Sequence, residues 1–62
     1  MKETYKVLIK FVDESTYFEY MHGLEEDAAY IVGLAVLRTR DEIVDVKIQR
    51  EPTLADILRK VL

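Results

Sequence analysis

Between Glu25-Glu26-Asp27 and Arg38-Thr39-Arg40 lies a run of ten residues, Ala28 to Leu37, with no charge among them. Acids in front and bases behind complement a helix dipole, so the run predicts one helix. It is apolar nearly all round, and this constrains the fold more than any other feature. A chain of 62 residues can lay only one face of such a helix on its own sheet. The second apolar face then needs another surface, either a second copy of the chain or a different protein.

Size sharpens the point, because a chain this short buries only about 60% of the surface its unfolded form exposes. One domain with a thin core is expected. There is no cysteine, which removes disulfides and thiolate metal sites and suits a reducing interior. Oligomerisation is the remaining support for the core. A net charge of -3 argues against a general nucleic-acid binder, since phosphates are held mainly by Lys and Arg. A protein partner with a basic face fits better. No apolar run approaches the roughly 20 residues of a membrane span, and Met-Lys-Glu-Thr opens no signal peptide, so the cytosol is the expected location.

The rest of the chain supplies the sheet. Tyr5 to Val12 alternates, with Tyr5, Val7, Ile9 and Phe11 on one side, and reads as a central strand. Asp13-Glu14-Ser15 interrupts the pattern and Thr16 to Met21 resumes it, which makes a hairpin. On the second strand Phe18 and Tyr20 should share one face and Tyr17, Glu19 and Met21 the other. Gly23 reads as the break before the helix. Ile43 to Gln49 is a third strand, with Val44, Val46 and Ile48 on one face. A right-handed crossover through the helix gives an antiparallel sheet of order 2-1-3, a ββαβ arrangement with the third strand at an edge. Pairing of that edge with its symmetry mate would build a continuous six-stranded sheet. Pro52 ends the strand, and Thr53 with Asp56 has the form of a capping box. Leu54, Ile57, Leu58, Val61 and Leu62 then recur at helical spacing, giving a short amphipathic helix that should dock on the back of the sheet or on a partner subunit.

At about 100° per residue the central helix separates into two unlike faces. Leu24, Ile31 and Leu34, flanked by Tyr30 and Leu37, form a bulky side, assigned to the sheet. Ala29, Val32, Gly33 and Val36 form a small-residue side, assigned outward as the floor of a partner-binding groove. The alternative is that this stripe faces the C-terminal helix of the same subunit.

Enzyme readings fare badly. His22 is the sole histidine, and a zinc site around it would need three carboxylates. Ser15 has nothing marking it as a nucleophile. Gly23 and Gly33 stand alone, so no phosphate loop exists. No cofactor, metal or small-molecule substrate is expected. The pairs Asp13-Glu14, Glu25-Glu26 and Asp41-Glu42 are either solvated surface or an acidic face for a basic partner. Glu19, an acid between aromatics on a half-buried strand, needs a reason.

The segment Tyr17-Phe18-Glu19-Tyr20-Met21-His22-Gly23-Leu24 resembles the very small uracil-DNA glycosylase inhibitors of Bacillus phages with protein-primed replication. That family carries a Tyr-Tyr-Glu-Tyr-x-x-Gly-Leu segment, then a helix, then Asp-Glu-Ile-Ile and an alternating strand, to which Asp41-Glu42-Ile43-Val44 and Val46-Lys47-Ile48 correspond. The resemblance implies a homodimeric DNA mimic. It would occupy the DNA-binding face of the host glycosylase and take up the enzyme's protruding leucine in an apolar pocket between two helices. Glu19 transfers as the acid of the Tyr-x-Glu-Tyr segment. The two aromatics that line the family's pocket, four residues apart on the helix, fall on Ala29 and Gly33 counted from Gly23, or on Val32 and Val36 counted back from Asp41. The aromatics themselves are missing here, and the helix from Thr53 is an addition.

The leading expectation is therefore a stoichiometric inhibitor of uracil-DNA glycosylase, with Glu19, Ala29, Val32, Gly33 and Val36 as partner-binding residues. The alternative is a dimeric interaction module, including a DNA-mimic inhibitor of another nucleic-acid enzyme. A small structural domain without a partner is the third.

Overall fold

The computed structural model describes residues 3–61, built as β1 (Tyr5–Phe11), β2 (Phe18–Leu24), α1 (Glu26–Thr39), β3 (Ile43–Arg50) and α2 (Leu54–Val61). The three strands form one antiparallel sheet of order β2-β1-β3, as the crossover argument requires. Alternation in β1 holds: Val7 and Ile9 are buried on one face, while Leu8 between them and Lys6 and Lys10 on either side are only half-buried. Backbone bonds extend the β1–β3 ladder at both ends, from Val12 N–H to Glu42 O at 2.8 Å and from Glu51 N–H to Thr4 O at 2.9 Å.

β2 departs from the expected pattern. It begins at Phe18, runs through Gly23, and ends at Leu24, so Gly23 lies in the strand and the helix starts beyond it. Leu24, expected on the helix, is the last strand residue and packs half-buried on the core. The pairing with β1 slips twice, between Tyr5 and Val7 and between Val7 and Leu8. Gly23, at φ 72°, takes the left-handed conformation that this irregular stretch requires. The slips also undo the expected faces. Met21 stands opposite Val7 and Glu19 opposite Leu8, so these two residues do not share a side.

α1 has acids in its first turn, Glu26 and Asp27, and Arg38 in its last, as the dipole favours. The side that it lays on the sheet is the reverse of the expected one. Ala29, Gly33 and Val36 are buried, and Val32 is half-buried beside them. Together with Val7, Ile9 and Ile43 they make the core, supported by Tyr5, Phe11, Leu24, Val46 and Ile48. The reason is complementarity of size. The sheet presents branched aliphatic side chains, and the helix meets them at Ala29 and Gly33 with almost no side chain, so the layers approach closely. Gly33 lies at a close approach: a Cβ there would lie 3.0 Å from Val46 Cγ1 and 3.2 Å from Ile48 Cδ1.

α2 is capped as the sequence implies. Asp56 N–H donates to Thr53 Oγ1 at 3.2 Å, and Thr53 N–H donates to the Asp56 carboxylate at 3.0 Å. It has no extensive packing on α1 or the sheet, is tied to the end of β3 through Asp56 and Arg50, and leaves Leu54, Ile57 and Leu58 exposed. No helix of the described residues is long and apolar enough to cross a membrane.

Candidate functional site: two exposed apolar helix faces

The outward side of α1 carries Tyr30, Ile31, Leu34 and Leu37, spaced three and four apart and therefore in one stripe. Ile31 is 67% exposed and Leu34 55%, against 0% for Ala29 and 5% for Val36 on the inner side. Asp27 and Arg38, both exposed, stand at the two ends of the stripe. The apolar surface is thus framed by unlike charges.

The expected groove residues are brought together, but inside the fold. Ala29, Val32, Gly33 and Val36 meet Val46 and Ile48, so they floor no external groove. Nor does the C-terminal helix plug them, since the chain's own sheet occupies that place. Glu19 is exposed on β2, opposite Leu8. Because Leu8 alternates with the buried Val7 and Ile9, Glu19 lies on the face of the sheet away from α1. The acid and the helix stripe are on opposite sides of the sheet.

That far face is a polar layer. The Tyr17 hydroxyl donates to the Asp45 carboxylate across β1, and the Lys47 ammonium lies 5.7 Å from the Tyr17 ring centre. The shared hydrogen bond raises the pKa of Tyr17 and lowers that of Asp45. On the helix side of the fold, Phe18 packs against Phe11, with ring centres 6.1 Å apart.

Glu51 is the residue that periodicity does not single out. Its carboxylate accepts from Thr4 Oγ1 at 2.5 Å and from Gly23 N–H at 3.3 Å, and His22 Nδ1 is 3.9 Å away. The Thr4 hydroxyl, followed by the Gly23 N–H, holds its pKa below the usual carboxylate value. One side chain thereby ties the start of β1, the end of β2 and the exit of β3. Just beyond, Arg50 Nη2 is 3.0 Å from the Asp56 carboxylate. The Thr53 N–H, the Thr53 hydroxyl and Arg50 together lower the Asp56 pKa to about 2. Arg50, Pro52, Asp56, Ile57, Arg59 and Lys60 line an open cleft of about 480 Å³ at this joint.

Among the described residues no group of three or more His, Cys, Asp or Glu side chains is placed to hold a metal ion. No family model, curated protein or solved structure matches the chain.

Proposed function

We propose that this chain is a small cytosolic protein-binding module that acts as a homodimer and uses the outward face of α1 as its working surface. The observation that carries the reading is that face: four large apolar side chains stand in one exposed stripe while the small residues of the same helix fill the core. Single apolar residues scattered on a surface need no explanation, but a contiguous stripe in so small a protein does. Binding of this kind calls for no catalytic group, cofactor, nucleic acid, membrane or small-molecule substrate. The net charge of -3 favours a partner with a basic surface.

The resemblance at Tyr17 to Leu24 supports a specific form of this reading, stoichiometric inhibition of uracil-DNA glycosylase. Glu19 favours it, being exposed and in no ion pair among the described residues, as an acid standing in for a phosphate would be. In this form the slot for the enzyme's leucine is bounded by Tyr30 and Leu34, four residues apart on the exposed side of α1, in place of Ala29 and Gly33. Burying one leucine there contributes about 1.5–3 kcal/mol. The test is titration of a bacterial uracil-DNA glycosylase with the purified protein. Inhibition should reach completion near equimolar dimer and disappear in Leu34→Asp. Uracil excision that persists at molar excess of the unaltered protein rejects the inhibitor form, and recovery of a different protein from host lysate through the same α1 face keeps the module with another target.

A further inference from the structure

We infer that α2 of one copy lies antiparallel along the outward face of α1 of a second copy, and reciprocally, so that the dimer is held by exchanged C-terminal helices. This rests on the reading of α1 as the working surface and names its first occupant. The chain exposes 4898 Å², about 700 Å² more than the ~4,200 Å² expected of a folded monomer of 7.3 kDa. That excess is close to the ~800 Å² per partner of a standard stable interface. The radius of gyration, 13.4 Å, likewise exceeds the ~10.6 Å of a compact chain of this length. The apolar surface left in water includes the stripe Tyr30, Ile31, Leu34 and Leu37 and the stripe Leu54, Ile57 and Leu58.

The two stripes fit each other in length and in charge. Eight residues of α2 span about 12 Å, and the rise from Tyr30 to Leu37 is about 10 Å. Set antiparallel, the basic end of α2, Arg59 and Lys60, meets the acidic first turn of α1, Glu26 and Asp27, and the dipoles oppose. Folding back onto its own α1 is disfavoured, because the connector is fastened on both sides. Glu51 is held by Thr4 and Gly23, and Arg50 by Asp56. A reciprocal exchange closes with two-fold symmetry. In this arrangement α2 covers the stripe from Tyr30 to Leu37, so a different protein engages that face by displacing the exchanged helix.

The experiment uses the full chain, which has no cysteine of its own. Light scattering should give twice 7.3 kDa at micromolar concentration. Ile57→Asp, in a helix that contributes no residue to the core cluster, should raise the dissociation constant at least about tenfold, with an unchanged circular dichroism spectrum of the sheet. The double variant Leu34→Cys with Leu54→Cys, which the antiparallel register brings opposite each other, should form disulfides between chains on oxidation. A disulfide within one chain, or none, overturns the exchange. A dimer indifferent to Ile57→Asp also overturns it but leaves the module reading standing. A monomeric unaltered chain overturns the dimer altogether, and the glycosylase titration then decides separately whether α1 binds another protein.

Discussion

The two helices of this protein invert the usual relation between pattern and packing. α1 is apolar on nearly every side, so its sequence barely distinguishes an inside from an outside, yet it is fixed firmly on the sheet through Ala29, Gly33 and Val36. α2 separates its apolar and charged residues sharply, yet Leu54, Ile57 and Leu58 remain about half exposed and join no core. Amphipathic spacing thus reports which face a helix would bury, whereas shape and chain connection decide whether it does. It follows that changes on the inner side of α1 should reach the whole fold. Changes in α2 should stay local.

The sharpest break of that contrast is Gly33→Phe. The space beyond Gly33 is already filled by Val46 and Ile48, and overpacking of this kind costs about 3 kcal/mol or more. A domain of this length has only about 3–9 kcal/mol in total, so urea titration should find the variant largely unfolded. Val36→Ala comes next, at about 2 kcal/mol for two buried carbons. Leu37→Ala, one position along and 42% exposed, should shift the same urea midpoint by less than half as much. If Leu37 proves the costlier, the inner and outer sides are exchanged and the packing described here is wrong.

Smaller effects belong to α2. Thr53→Ala removes the hydroxyl that caps its N-terminus and should cost about 1 kcal/mol of helix stability. The loss should appear as reduced far-ultraviolet helicity with no change in the aromatic signals of the sheet. Acid gives the smallest change. The Asp56 pKa is lowered to about 2, below the ~3.9 of an unfolded chain, so its contribution is complete above the unfolded value and is lost as pH falls through the folded one. Helicity of α2 should therefore decline between about pH 4 and pH 2, and Asp56→Asn should remove that decline.

These differences also account for what could be read in advance. Strand order, the crossover helix and the Thr53–Asp56 cap were legible because each depends on neighbours in the chain or on a topological rule with few exceptions. The inward side of α1 was not, because both sides are apolar and periodicity assigns no sign to them. The choice is made by Val46 and Ile48, remote in sequence, whose side chains fill the space over Gly33. The placement of β2 was misread for a related reason: two slips in register move Met21 and Glu19 to different sides, and alternation alone cannot register an inserted residue. Glu51 joins three strand ends through contacts with Thr4 and Gly23, and no local spacing announces that.

The same slips have a consequence for how far such a sheet can grow. β2 and β3 are both outer strands, but the first is kinked twice along its length, while the pairing of the second is broken only near its start, between Lys10 and Phe11 of its neighbour. A kinked rim offers poor purchase to an incoming strand, and a straight one accepts it. Growth of the sheet is thereby easier on one flank than on the other, which works against open-ended fibrils in a protein that keeps so much apolar surface in contact with water.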